Sequence, residues 1–108
     1  MSKSMKREGP DPVAPVVVGA TRYAVPHYAT ETGYPQNGGC VTATDVASGE
    51  RLWTVRVYET VYDPLRERDV QDVFITSLVD AGGGRLDIED EDGRRYVLDT
   101  ASRQVTRA

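Results

Sequence analysis

Two side chains with nucleophilic or metal-binding chemistry stand out because each occurs once. His27 is the only histidine and Cys40 the only cysteine among 108 residues. The glycine-rich segment between them would let a thiol approach an imidazole as a Cys-His dyad. A lone cysteine at the start of a strand is more often a buried core residue, and it permits neither an internal disulfide nor a cysteine-based zinc site. We therefore predict no catalytic residue, no metal and no cofactor.

A run of acids is the next candidate. Asp87, Glu89, Asp90, Glu91 and Asp92 precede Gly93. A calcium loop of the D-x-D-x-D-G type would need an oxygen ligand at position 88, which is an isoleucine. The run is therefore interpreted as a solvated hairpin tip that keeps a strand edge from aggregating.

Tyrosines are the remaining candidates, because a tyrosine offers rigid apolar area with a polar tip and is favoured at interfaces. Several flank the long loop 26–39, which proline and glycine exclude from a regular strand. We predict that any binding surface consists of this loop and the tyrosines near it. The candidate binding residues are Tyr23, His27, Tyr28, Tyr34, Tyr58 and Tyr62. The alternative is that the tyrosines complete a small core that is poor in phenylalanine and leucine.

The elements that must position these residues are β-strands. Segment 21–25 alternates polar and apolar residues, and 51–61 gives the strongest strand signal. Segment 72–79 is apolar on both faces, which is typical of a central strand covered on both sides. No window has the apolar period of an amphipathic helix. We predict an all-β fold of six or seven strands, an antiparallel meander that forms a small curled sheet, a barrel or a sandwich.

Composition limits the classes of protein. Residues 1–12 carry charge, proline and glycine without apolar periodicity, so we predict a disordered leader followed by a single β domain over 13–108. The net charge of −4 argues against a nucleic-acid partner, and no apolar run suffices to cross a bilayer, so no membrane partner is expected. No apolar stretch follows the first cations, which predicts a cytoplasmic protein. Export with a leader that this sequence lacks is the alternative.

The segment from Ala43 to Trp53 contains an alanine, an aspartate, a glycine and a tryptophan at fixed spacing. It resembles the tryptophan-docking motif of quinoprotein-type (PQQ-like) β-propeller blades, which reads Ala-x-Asp-x-x-Thr-Gly-x-x-x-Trp. Ser48 stands where threonine is usual. A partial second copy runs from Gly93 to Asp99 and then departs from the pattern. Arg103 occupies the position of the motif glycine, and no tryptophan follows.

The resemblance implies structural roles for three residues, Asp45, Gly49 and Trp53, which hold blades together and do not contact a cofactor. Propellers need about four to eight four-stranded blades, whereas the predicted strands suffice for one blade or one and a half. The resemblance therefore carries over neither the axial pocket nor quinone chemistry. The strand edges must be covered in another way, by a barrel, a sandwich or a second copy of the chain.

Two classes of function follow. The first is a protein-interaction or binding module without catalysis, with a protein partner or itself as a homodimer, which uses the tyrosine-rich loop or an exposed strand edge. A blade-like accessory to a larger propeller is a variant of this class. The second is an enzyme or small-molecule-binding protein with a pocket around His27, Cys40 and the loop tyrosines.

Overall fold

Eight antiparallel strands form two four-stranded sheets in the computed structural model of the chain, which describes residues 12–26, 33–67 and 71–108. The first sheet has the order β1-β2-β3-β4 and the second the order β5-β6-β7-β8. The strands are β1 Val16–Val18, β2 Thr21–Ala24, β3 Cys40–Asp45, β4 Arg51–Arg56, β5 Ile75–Gly82, β6 Arg85–Asp90, β7 Arg95–Asp99 and β8 Val105–Arg107. Within these ranges no helix is long and apolar enough to cross a membrane.

The prediction of an all-β antiparallel meander is confirmed, and the count of six or seven strands is wrong. The three-residue segments β1 and β8 both pair with a neighbour, which brings the count to eight. The strand expected over 51–61 ends at Arg56. The described strands form two open sheets and no closed barrel. Residues 1–11 of the predicted leader lie outside the described residues.

The prediction that the apolar segment 72–79 forms a central strand is wrong. β5 is the edge strand of the second sheet and pairs only with β6 among the described strands. Ile75 and Leu78 are buried, whereas Val79 is 51% exposed. The register shifts twice along this strand, between Ile75 and Ser77 and again near Gly82, so its apolar residues do not follow a simple alternation.

The core lies between the two sheets, each of which buries one face. We call these the inner faces and the opposite ones the outer faces. The first sheet contributes Tyr23, Val41 and Ala43 among others to one buried cluster, and the second contributes mainly aliphatic residues. Those aliphatic residues are Ile75, Leu78, Leu86, Ile88 and Leu98. The first strands of the two sheets, β1 and β5, make the most extensive contact between sheets.

The turn after β3 and the turn after β7 have the same hydrogen bonds. Gly49 donates its N–H to the carbonyl of Asp45 (2.8 Å), and Arg103 donates likewise to Asp99 (2.7 Å). In both turns the aspartate carboxylate accepts the N–H three residues ahead, from Ser48 or Ser102. These Asx-type bonds hold the pKa of both carboxyls below the usual range, with the Ser48 hydroxyl as the leading cause at Asp45. The two sheets are therefore repeats of one hairpin.

The repeat extends from the turns into the strand pairing. Thr21 pairs with Asp45, and Arg85 pairs with Asp99. One residue further along, the pair Arg22 with Thr44 corresponds to the pair Leu86 with Leu98. Arg22 lies on the outer face of the first sheet, whereas Leu86 lies on the inner face of the second. The two sheets therefore use opposite faces of the repeated hairpin for the shared core, an arrangement that we call head-to-tail packing. The face that is inner in one sheet corresponds to the face that is outer in the other.

The motif glycine and its arginine counterpart give the first prediction. Gly49 has φ 74° and Arg103 has φ 61°, and both values lie in the left-handed region that favours glycine. A Cβ at Gly49 would meet no atom within 4 Å, so only backbone strain opposes a side chain there. We expect Gly49→Ala to lower the free energy of unfolding by about 1 kcal/mol and Arg103→Gly to raise it by about 0.5 kcal/mol in urea titrations. A loss on Arg103→Gly would contradict this account.

The tryptophan of the motif gives the second prediction. Trp53 is half-buried against the core, with its ring centroid 5.9 Å from that of Tyr23. We expect Trp53→Ala to cost about 2–4 kcal/mol of unfolding free energy, since a large part of the indole leaves a packed site. Leu52→Ala is the matched control, because Leu52 is 48% exposed and should cost less than about 1 kcal/mol. Equal losses for the two variants would contradict the docking role of the tryptophan.

Candidate functional site

A buried glutamine organises the loop that precedes β3. Gln36 is 1% exposed, and its Nε2 donates to the carbonyls of Gly38 (2.7 Å) and Tyr58 (2.8 Å). Its Oε1 accepts the N–H of Thr60 at 3.1 Å. A single side chain therefore replaces the backbone pairing that an irregular loop lacks, and it joins the loop to the connection between β4 and β5.

A second set of polar contacts extends the same connection. The Tyr62 hydroxyl donates to Asp72 Oδ1 and accepts the backbone N–H of Asn37 (3.2 Å). Asn37 Nδ2 donates to Asp72 Oδ2 at 3.0 Å, and Asp72 is itself 4% exposed. We name the side chains of Gln36, Asn37, Tyr58, Tyr62 and Asp72 the polar junction. It fixes the loop before β3 against the residues before β5.

Two glycines let the backbone approach this junction. A Cβ at Gly38 would lie 2.3 Å from the carbonyl oxygen of Val73. Any residue other than glycine would therefore require the backbone to move. A Cβ at Gly39 would lie 2.8 Å from the Tyr58 ring, and Gly39 has φ 86°. The Tyr58 hydroxyl donates to the same Val73 carbonyl at 2.6 Å. Close backbone contact and hydrogen bonding therefore depend on each other here.

The structure places four of the predicted binding residues. Tyr23 is buried in the core, and Tyr58 stacks on Tyr96 with 5.3 Å between ring centroids. Burial, followed by the charge of Asp90, raises the pKa of Tyr58, so its hydroxyl stays protonated as a donor. Tyr34 is half-buried beneath the guanidinium of Arg56, which lies 5.5 Å from the ring centroid.

The tyrosines are thus brought together only in part. Tyr58 and Tyr62 belong to the polar junction, whereas Tyr23 lies in the core and Tyr34 lies in the loop. His27 and Tyr28 lie outside the described residues. Within the described part of the chain, the hydroxyls of Tyr58 and Tyr62 are occupied by internal acceptors. This arrangement is closer to the alternative in which the tyrosines complete a small core than to an exposed binding surface.

The thiol of Cys40 is enclosed. The residue is 1% exposed at the start of β3, paired with Arg56 on β4. Burial raises the pKa of Cys40 to about 11, and the charge of Arg56 offsets only part of that rise. The thiol is therefore neutral at pH 7, and a neutral buried thiol is a poor nucleophile. No group of three metal-ligating side chains occurs in the ranges that the structure describes.

A buried carboxylate within the acidic run is the feature that the sequence did not reveal. Asp90 is 1% exposed, so the interpretation of the whole run as a solvated tip is wrong at this position. Its Oδ2 accepts bonds from the Tyr96 hydroxyl (2.9 Å) and Arg94 Nε (3.1 Å). Its Oδ1 accepts the backbone N–H groups of Asp92 and Arg94. The only signal was its position at the end of an alternating strand, where Leu86 and Ile88 predict an inward neighbour.

The pKa of Asp90 reflects this set of donors. Burial by itself would raise the pKa of the carboxyl. The hydrogen bonds from the Arg94 backbone, the Tyr96 hydroxyl and the Arg94 side chain outweigh that effect and hold the pKa below its usual range. Asp90 is therefore charged at neutral pH and acts as a structural hub for the β6–β7 hairpin.

The longest open strand edge of the first sheet belongs to β4. Among the described strands, β4 pairs with β3 alone, and six residues form its length. Leu52 is 48% exposed on it, and Arg51 and Arg56 are exposed at its two ends. A six-residue edge presents unpaired backbone groups in a row, which is the geometry that an added strand recognises. The longer edge strand of the second sheet, β5, contacts β1 of the first sheet, so the β4 edge is the candidate binding site.

Comparison of the chain with protein-family models gives no match, and comparison with curated proteins gives none.

The Asp90 hub gives the third prediction. Its folded-state pKa lies below the unfolded value of about 3.9, so the stability it contributes is present above about pH 4 and is lost as the pH falls through the folded value. We expect Asp90→Asn to cost about 2–4 kcal/mol at pH 7 and to flatten the loss of stability below pH 4. Urea titrations across a pH series measure both effects.

Asp92→Asn is the control for that series. Asp92 shares the same hairpin and contacts Arg94 at 2.7 Å, but its side chain is 54% exposed. It should change the unfolding free energy by less than about 1 kcal/mol. An acid slope unchanged by Asp90→Asn would show that other carboxyls, such as Asp45 and Asp99, carry the whole pH dependence.

Proposed function

We propose that this chain is a protein-interaction module without catalysis, which binds an extended segment of a partner polypeptide along the open edge of β4. The observation that carries the proposal is the six-residue strand Arg51–Arg56, which pairs on one side only within the described part of the chain. Strand addition at such an edge draws affinity from backbone hydrogen bonds and specificity from alternate side chains.

The pairing pattern identifies which backbone groups are available on this edge. Val57 donates its N–H to Gly39 at 2.7 Å, next to the paired residues Cys40 and Arg56. Because hydrogen-bonded and non-bonded pairs alternate in an antiparallel ladder, Trp53 and Val55 direct their N–H groups at β3. Thr54 and Arg56 then direct theirs at the open edge. A partner strand would pair with these two residues.

The side chains beside the edge favour a particular segment. Leu52 offers exposed apolar surface, and Arg51 and Arg56 place a positive charge near each end of the strand. An extended segment with an apolar residue between acidic ones would match this pattern. A second copy of the chain pairing edge to edge, as a homodimer, uses the same backbone groups.

Two observations favour this module over a catalytic pocket. The Cys40 thiol is buried and neutral, and the hydroxyls of Tyr58 and Tyr62 are held by internal acceptors. The likeness to PQQ-like blades is a second proposal. It is supported by two four-stranded meanders whose turns repeat at Asp45 and Asp99. On that proposal the chain is a two-blade unit that acts through contacts with protein.

A proline at Thr54 tests the edge, and this is the fourth prediction. Peptides selected from a random dodecapeptide display library on the wild-type protein serve as the probe, with affinity measured by fluorescence anisotropy. Thr54→Pro removes an outward N–H and leaves the pairing with β3 intact, so thermal stability should change little. We expect peptide affinity to fall by about tenfold or more.

Two controls accompany this variant. Thr54→Val keeps the N–H and should bind the peptides as the wild type does. Arg107→Pro removes an outward N–H from β8, the three-residue edge strand of the second sheet, and should also leave peptide binding unchanged. Undiminished binding by Thr54→Pro, or no selected peptide above background, would overturn the proposed function.

A further inference from the structure

The outer face of the first sheet is basic. One row of paired residues crosses all four strands there, from Val17 through Arg22 and Thr44 to Arg51. The next row on this face joins Ala24, Thr42 and Thr54, and beyond it Cys40 pairs with Arg56. The paired positions of this face hold three arginines and no acid. Thr44 lies between Arg22 and Arg51. The end of the face at Arg56 is partly covered by the loop before β3, because Cys40 is 1% exposed and the Tyr34 ring lies against the Arg56 guanidinium.

The outer face of the second sheet carries charges of both signs, with three acids and two arginines at its paired positions on β6 and β7. One row joins Ser77, Glu89 and Arg95, and the next joins Val79 and Asp87 to β7 and β8. These residues line an open depression of about 340 Å³. Arg95 Nε lies 3.5 Å from Glu89 Oε1 and offsets that charge, and Arg85 pairs across the strands with Asp99. Asp87 is the acid whose two paired neighbours, Val97 and the exposed Val79, carry no charge.

The head-to-tail packing of the two sheets relates these faces to each other. Asp87 on the outer face of the second sheet corresponds in register to Tyr23 on the inner face of the first. Arg22 on the outer face of the first sheet corresponds to Leu86 on the inner face of the second. Tyr23 and Leu86 both lie in the core between the sheets. Each outer face therefore has, at one pairing position, a charged residue where the other sheet has an apolar core residue. Arg22 stands in the position of Leu86, and Asp87 stands in the position of Tyr23.

We propose that the outer face of the second sheet in one copy of this chain receives the outer face of the first sheet in another copy. The contact repeats between chains the sheet-on-sheet packing found within one chain, with Arg22 and Arg51 facing the acidic depression around Asp87. It uses sheet faces, not the β4 edge, and therefore goes beyond the peptide-binding function proposed above.

The two contacting surfaces differ, so the association is heterologous. After one contact forms, each copy still presents one free face of each kind, and further copies add in series to give a ring or an open chain. The arginines and acids are exposed, so salt should weaken the association by screening. Wild-type protein is therefore expected to form dimers and larger species at low ionic strength and to dissociate in high salt.

Charge exchange tests the proposal. Sedimentation velocity and native mass spectrometry at low and high salt measure the assembly of the wild type, Arg22→Asp and Asp87→Arg. Each single variant alone should associate about tenfold more weakly or worse, because like charges then meet across the contact. An equimolar mixture of the two variants should assemble again. In the mixture, the altered face of each variant meets the altered face of the other, and the wild-type faces also meet.

Matched controls separate this contact from a general effect of charge. Arg66→Asp and Glu59→Arg make the same charge changes at exposed positions outside both faces and should assemble as the wild type does. Circular dichroism and thermal melting confirm the fold of every variant. Wild-type protein that stays monomeric at low salt, single variants that assemble normally, or a mixture that does not recover would each overturn the proposal. The affinity of the selected peptides for Thr54→Pro, measured separately, tests the edge proposal, whereas the charge exchange between Arg22 and Asp87 tests the contact between faces.

Discussion

Each four-stranded sheet of this protein has one apolar face, and the sheets are too small to be stable unless those faces cover each other. A sheet of this size is marginal in water until its face packs on another element. The shared core from Tyr23 to Leu98 therefore determines where everything else can lie. The turns, the polar junction and the Asp90 hub all position strands whose placement the buried faces already require.

The polar contacts contribute specificity to that apolar packing. Apolar faces can slide over each other at little cost, whereas the bonds of Gln36 and Asp72 have fixed lengths and directions. The described part of the chain holds no buried side-chain nitrogen or oxygen without a hydrogen-bond partner. The junction therefore selects one relative placement of the loop and the strands, while the burial of aliphatic side chains supplies most of the free energy.

Much of the fold was predictable because alternation is a local property. The strands around Thr21–Ala24 and Arg85–Asp90 follow directly from their period of two. The division into two sheets was not predictable, since it depends on which strands fail to pair, and β5 shows the difficulty. The register shift between Ile75 and Ser77 brings Ile75 and Leu78 to the same buried face, and no local pattern separates this arrangement from a central strand that is apolar on both faces.

The site was less predictable because the type of a residue does not reveal which partner its side chain will contact. The tyrosines stand out in the sequence, but the sequence could not show that the Tyr58 hydroxyl meets an acceptor 15 positions away and the Tyr62 hydroxyl one 10 positions away. Asp90 was hidden among solvated neighbours of the same charge. Long-range hydrogen bonding decides both cases, and a single sequence holds no record of it.

The glycines of this chain also differ in their evolutionary freedom. At the turn of the second sheet an arginine, Arg103, occupies the position of Gly49, so that site can accept a side chain for a modest conformational cost. Gly38 has no such route, because a Cβ there would lie 2.3 Å from the carbonyl of Val73, and moving that carbonyl would disturb its bond from Tyr58. Substitution at Gly38 is thus epistatic with at least two other residues. Single-step drift can pass through position 49, whereas at position 38 it requires coordinated change.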